Sequence, residues 1–308
     1  MGSGDGVLTI SGTGEMNNWG MYMINGRYFF SYPGWREYNQ KIKSVVVTEG
    51  VTTIGNSAFN EYRELTSVSF PNTLKSIGES SFELCLGLKS IEIPGSVETI
   101  GNSAFNMRSY VMYEDRPLTE IIFNEGLKTI GQQAFHGVAI PELVLPSTVT
   151  SIGDSAFAMA LCLEKITLPE GLNWIGDSAF YRTPLTEVRI PSTVAHIGAE
   201  AFYYCTELKS VELPEGDLNS LSSNVFYGTQ IESITIPEGT TVVYQHCFSG
   251  CEKLTTVYLP ASLTYFHPNA VEESAVTTIY FAGTAEAWNE ILAEAMPAGI
   301  GVYFGTDE

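Results

Sequence analysis

The sequence repeats itself, and that repeat constrains the possible folds more than any other feature of the chain. The hexamer Ile-Gly-x-x-Ala-Phe begins at Ile54, Ile100, Ile130, Ile152, Ile175 and Ile197, and a copy at Ile77 has Ser81 in the alanine place. Looser copies begin at Leu221, Val243 and Phe266, the last with Val271 where the phenylalanine falls. Successive starts lie 23, 23, 30, 22, 23, 22, 24, 22 and 23 residues apart. A period of this length marks supersecondary units that cannot bury their apolar faces alone and must stack.

Each unit has a second regular half. Leu88-Lys-Ser-Ile-Glu-Ile-Pro94 is matched by Leu208-Lys-Ser-Val-Glu-Leu-Pro214 and Leu254-Thr-Thr-Val-Tyr-Leu-Pro260. The alternation of apolar and variable residues is the period of a strand with one buried face. Proline has no N–H for a ladder, so it ends the strand, and the turn residues behind it reverse the chain. The glycine after each isoleucine implies a tight corner or a positive φ. Asn56, Asn102, Asp154 and Asp177 follow it, in a place suited to capping a short helical turn. Phenylalanines 59, 82, 105, 135, 157, 180, 202, 226 and 248 are expected to stack as one internal column. Eleven strands, from Val45 to Phe281, then pair at about 4.8 Å per step into a sheet on the order of 50 Å long.

These units resemble the BspA-type leucine-rich repeats of bacterial and protozoan surface proteins, with the pattern Ile-Gly-x-x-Ala-Phe…Leu-x-x-Val-x-Leu-Pro over residues 42–282. The resemblance implies a leucine-rich repeat solenoid, right-handed and curved, with a parallel β-sheet on the concave face and short helical turns or coil on the convex side. It also implies an adhesive, non-catalytic role at the cell surface, with a host or neighbouring-cell protein or glycoprotein as partner.

Two ends and one insertion interrupt the regularity. Residues 1–41 read as an N-terminal cap, in which Trp19, Tyr22, Tyr28, Phe29, Phe30, Tyr32, Trp35 and Tyr38 cover the open core or offer a ligand platform. Residues 283–308 read as a C-terminal cap, a helix with Trp288, Ile291 and Leu292 on one face followed by a last strand; a Gly-Thr-x-x-x-Trp ending is also a feature of the resembling family. The 30-residue step holds an insertion near 106–117 whose Tyr110 and Tyr113 have the composition of a contact loop, or of a surface loop packed on its own aromatics. Residues 1–4 look like a vector-derived joint, so an export signal or anchor would lie outside this sequence.

Composition excludes several functions. The chain has 308 residues, 44% hydrophobic, with 35 acidic against 15 basic side chains and a formal charge of -20. Such a surface repels nucleic-acid phosphates and anionic membranes. No stretch approaches the roughly 20 apolar residues that cross a bilayer. His136, His196, His246 and His267 hold different places in their repeats, so no zinc site or hydrolytic triad is expected and no cofactor is implied. Glu187 and Glu212 are a carboxylate pair of the kind a glycosidase would need, on an open sheet that offers no closed pocket. Cys85, Cys205 and Cys251 share an inward column two or more coils apart, too far to bridge, and no disulfide is expected.

What remains is a surface. Positions between the buried strand residues form two outward columns. One runs Ser44, Ser67, Ser90, Glu120, Glu142, Lys165, Glu187, Ser210, Ser233, Thr256, Thr278. The other runs Val46, Ser69, Glu92, Ile122, Val144, Thr167, Arg189, Glu212, Thr235, Tyr258, Tyr280. Candidate ligand contacts are Ile122, Val144, Arg189, Tyr258 and Tyr280, with Tyr110 and Tyr113 of the insertion. The expected function is an extracellular binding module, acting as a monomer, for a protein or glycoprotein. A passive spacer and a carbohydrate-binding module, using tyrosine faces against sugar rings, are the alternatives.

Overall fold

A computed structural model describes residues 6–24, 27–107, 118–216, 218–292 and 296–305. The chain winds into a solenoid of about eleven turns with little helix. Each coil contributes a longer strand of three or four residues, such as Ser44–Val47, Ser90–Ile93 and Thr256–Leu259, and all of these pair in parallel with neighbours one coil away. Their inward residues are buried, as Val45, Ile91, Val188 and Val257 are, or half-buried against the core, as Val68, Ile121, Ile166 and Val211 are, and the residues between them face outward.

Two strands extend this face beyond the eleven expected. Val7–Ile10 pairs with Ser44–Val47 at one end, and Gly301–Phe304 pairs with Thr278–Phe281 at the other. Both segments carry the same alternation as the repeats although they lie outside the hexamer pattern.

A second ladder forms where the sequence offers only a residue pair ending in isoleucine, Thr-Ile or Ser-Ile in five coils and Trp174-Ile175 and His196-Ile197 in two. Seven two-residue strands, from Thr53–Ile54 to His196–Ile197, hydrogen-bond in register and seat each isoleucine in the core. The turn that follows is coil rather than helix. Ser57, Ser80, Ser103, Gln133, Ser155 and Ser178 adopt φ between 50° and 55°, in the left-handed region that costs L-residues about 1–2 kcal/mol. That kink directs N–H groups along the axis: Ser57, Phe59 and Glu61 donate to the carbonyls of Glu79, Ser81 and Glu83 one coil on. The hydrogen bonds offset the strain.

The repeated glycine therefore has a different reason from a positive φ. Gly153 is not left-handed; a Cβ there would sit 2.7 Å from the backbone of Gly131 and Gln132 in the preceding coil. Gly198 meets Asp177 N even closer. The glycine lets coils approach. The polar residue behind it also works between coils, not as a cap within one. The Oδ1 atoms of Asn56, Asn102, Asp154 and Asp177 accept hydrogen bonds from the backbone N–H of Glu79, Gln132, Asp177 and Ala199 at 2.8–3.0 Å.

Down the middle runs the phenylalanine column. From Phe59 to Phe248, nine rings stack with centroids 5.2–6.0 Å apart and planes within 2–15° of parallel. All nine are fully buried. Phe105 and Phe135 flank the insertion yet stack at 5.4 Å and 2°, so the extra residues leave the column undisturbed. Trp35 stacks on Phe59 at 5.9 Å and is itself met edge-on by Trp19. At the other end the helix Ala285–Ile291, capped by Thr284 Oγ1 accepting from Ala287 N, sets Trp288 against Phe266 and Phe281. The hairpin Gly20–Ile24 and Arg27–Ser31 behaves differently: Met21, Met23, Phe29 and Phe30 are exposed, as is Tyr32 just beyond it.

Beside the column lies a line of small buried groups. Cys85, Cys205 and Cys251 donate from Sγ to the carbonyls of Phe59, Phe180 and Phe226 in the preceding coil, each at 3.1 Å. Thr183 and Thr229 share the line and touch Cys205 and Cys251 at 3.3 Å. All five cysteines are free thiols. Burial pushes the Cys205 thiol up to about 12 and also raises those of Cys85, Cys247 and Cys251.

Candidate functional site: an exposed tyrosine ladder

The longer strands place both outward columns as their alternation implies. Ser44 pairs with Ser67, Glu142 with Lys165, Glu187 with Ser210, and Arg189 with Glu212. Every residue of the two columns is exposed or half-buried. The candidate residues do not form one patch, however. Ile122 and Val144 are exposed, but the ladder is interrupted between them, since Ile122 pairs with Glu92 and Val144 with Thr167. Arg189 is held by two carboxylates, Glu170 at 2.5 Å and Glu212 at 3.5 Å. The Glu170 hydrogen bond is the main cause of its raised pKa, and Glu170 is lowered by the same bond. Pairing Arg189 with Glu212 also leaves Glu187 opposite Ser210, so the two glutamates do not face each other. Tyr110 and Tyr113 lie outside the described residues.

Tyr258 and Tyr280 do come together. Their rings stack at 5.1 Å with planes 9° apart, and Tyr303 of the terminal strand extends the stack at 5.4 Å and 31°. The three are 42%, 43% and 56% exposed on the outer face of one four-stranded sheet. No hydroxyl of the three bonds to another described residue.

Beside the ladder runs a groove of about 940 Å³ lined by all three tyrosines, Pro237, Pro260, Ala282 and Gly305, with Glu215 and Glu238 at its acidic end. Register explains why it opens here. The residue ending the longer strand is proline in most coils, including Pro237 and Pro260, but shrinks to Ala282 and then Gly305 in the last two. Missing side-chain volume at the corner, beside large side chains on the face, makes a trough.

Tyr303 was missed in the sequence because its strand falls outside the repeat count. Gly301-Val-Tyr-Phe304 nonetheless mirrors Thr278-Ile-Tyr-Phe281, and that tetrapeptide was the available signal. A second aromatic cluster was missed as well. Tyr181, Tyr203 and Tyr227 each follow a column phenylalanine and stack at 5.5 and 4.8 Å on the turn side of the coils. Tyr204 packs edge-on against Tyr203 and Tyr227, and Arg182 lies 5.4 Å from the Tyr181 ring and 5.5 Å from that of Tyr204. Burial is the first cause of the raised Tyr203 and Tyr227 pKa values.

The histidines stand apart. His136 is buried on the turn side, His196 stacks on Trp174 at 3.8 Å, His246 bonds to Ser249, and His267 Nδ1 accepts from Asn269 N. Among the described residues no three His, Cys, Asp or Glu side chains converge to hold a metal ion. No helix among them is long and apolar enough to cross a membrane.

The profile of the BspA type leucine rich repeat region matches residues 37–112, 106–185 and 173–291, in six copies. The chain belongs to the BspA type leucine rich repeat family. Solved structures share the fold of this BspA type chain. A leucine-rich repeat protein from Bacteroides ovatus superposes with a TM-score of 0.62 at 23% identity, covering 95% of this chain and 71% of that one. The pneumococcal vaccine antigen PcpA superposes with a TM-score of 0.53 at 17% identity, covering 96% and 84%. No curated protein sequence matches the BspA type chain significantly.

Proposed function

We propose that this chain is an extracellular, cell-surface binding module that recognises a protein or glycoprotein through the outer face of its longer strands. The observation that carries the reading is the ladder Tyr258–Tyr280–Tyr303. Three large aromatic side chains stand partly exposed along one groove, with hydroxyls that the described residues do not use. Tyrosine supplies broad apolar contact at small entropic cost and one polar tip, and so anchors interfaces. The rest of the face suits a rim: small hydroxyls and solvent-exposed ion pairs such as Glu170–Arg189.

Family membership supports a surface or binding role, and a vaccine antigen has the same fold. Much of the described backbone is occupied in holding coils together, and the histidines stand apart from one another along the array. Binding, not catalysis, is the use left to the exposed columns, and a single stacked array needs no second copy to complete the groove. The test is a binding screen of the monomeric chain against immobilised matrix and cell-surface proteins and a glycan panel, repeated with Tyr258→Ser, Tyr280→Ser and Tyr303→Ser combined. The reading expects a ligand whose affinity falls at least about tenfold in the variant, the equivalent of about 1.4 kcal/mol. Ligands bound equally well by both proteins would remove the outer face from consideration.

A further inference from the structure

Resting on the reading of this face as a binding surface, we infer that the tyrosine groove takes an extended, proline-rich polypeptide segment flanked by basic residues. The first observation concerns what the ladder shows to a ligand. Sugar recognition by aromatics needs an open ring face for the pyranose to lie on. Tyr280 has Tyr258 stacked on one side at 5.1 Å and Tyr303 tilted by 31° across the other at 5.4 Å, so neither of its faces is open enough for a pyranose to lie flat on it. The stack therefore presents a row of ring edges and hydroxyls along the solenoid axis, with open faces only at its two ends.

That row fits a polyproline II strand. Such a strand makes no internal hydrogen bonds and leaves its carbonyls free, so phenolic O–H groups can donate to them. Its three-residue turn advances about 9 Å, within about 1.5 Å of the two rungs from Tyr258 to Tyr303, whose centroid spacings are 5.1 and 5.4 Å. Prolines three positions apart thus meet the outer rungs in step. Aromatic-lined grooves recognise proline-rich segments by this combination of ring contact and preformed backbone shape.

The trough supplies the remaining requirements. Ala282 and Gly305, standing where most earlier coils carry proline, line a groove of about 940 Å³ beside the rings that has room for pyrrolidine groups. Glu215 and Glu238 border the same groove on a chain of net charge -20, so arginine or lysine beside the prolines finds a complementary field. Glu238 uses one carboxylate oxygen to accept from Ala261 N, which holds its position beside the groove.

Fluorescence polarisation with the whole chain decides the matter. The probes are a labelled synthetic peptide with Pro-x-x-Pro repeats and an arginine pair, the same peptide with alanine for proline, the same peptide with glutamate for arginine, and neutral oligosaccharides as competitors. The proline-arginine peptide is expected to bind about tenfold or more tighter than either altered peptide. Tyr280→Phe, which removes only a hydroxyl, is expected to weaken it severalfold, and Glu215→Gln with Glu238→Gln to weaken it and flatten its salt dependence. Equal binding of the alanine peptide, or no binding of the proline-arginine peptide at millimolar concentration, overturns the inference. If an oligosaccharide binds instead and the tyrosine substitutions abolish it, the peptide is wrong while the binding face stands. If ligands found by screening ignore the tyrosines altogether, both are wrong.

Discussion

Two stacked aromatic columns run along this molecule, one inside and one outside, and they share nearly the same geometry. Phenylalanine rings repeat every 5.2–6.0 Å through the core, and tyrosine rings repeat at 5.1 and 5.4 Å on the surface of the last coils. Both spacings are imposed by the distance between hydrogen-bonded coils, so stacking by itself says nothing about purpose. What differs is the medium. The inner rings lose all contact with water, whereas the outer rings keep roughly half of theirs. Apolar burial scales with area removed from water, so the same array is mainly cohesive within the core and mainly available on the surface. A repeat protein can change its outer column without touching the inner one.

Substitutions of graded severity test that division. The largest effect is expected at Phe157, fully buried between Phe135 and Phe180. Phe157→Ala should cost about 3–5 kcal/mol in urea denaturation, the transfer term plus an uncollapsed cavity. Next comes the spacing between coils. Gly153→Ala places a Cβ 2.7 Å from rigid backbone of the preceding coil and should cost about 1–3 kcal/mol. Gly34→Ala, with nothing within 4 Å of the new carbon, is the control and should leave the midpoint near wild type. A smaller loss, about 0.5–1.5 kcal/mol, is expected for Asp154→Ala, which deletes the acceptor for Asp177 N at 3.0 Å. If Asp154→Ala cost as much as Phe157→Ala, hydrogen bonds between coils would outweigh the aromatic column, and the comparison would need redrawing.

The inner column was legible in the sequence because burial repeats it: each unit must supply an aromatic at the same place or leave a hole. The strand register and the outward columns were legible for the same reason, since proline and the alternation fix which residues face out. Outer residues carry no such requirement. Tyr303 went unread because its strand, Gly301–Phe304, lies past the last hexamer, and the ring cluster of Tyr181, Tyr203 and Tyr227 because it sits one residue beyond the position that repetition marks. The glycine and the Asn/Asp behind it were recognised as special but assigned to a tight corner or a positive φ and to helix capping. Single-coil reasoning gives those explanations; the actual partners, Gly131, Gln132 and the backbone N–H of the next coil, belong to neighbours 21–30 residues away in sequence. A rule about one unit could not see a contact between two.

The division between columns is tested most directly by urea denaturation of Tyr280→Ala beside Phe157→Ala. Tyr280 sits in the middle of the outer stack as Phe157 does in the inner one. Cross-strand pairs on an exposed sheet face contribute about 0.2–1 kcal/mol each, so Tyr280→Ala should lower the unfolding free energy by about 1 kcal/mol and no more than about 2. A loss equal to that of Phe157→Ala would contradict the account, because the outer tyrosines would then be holding the coils together and would not be free for a ligand.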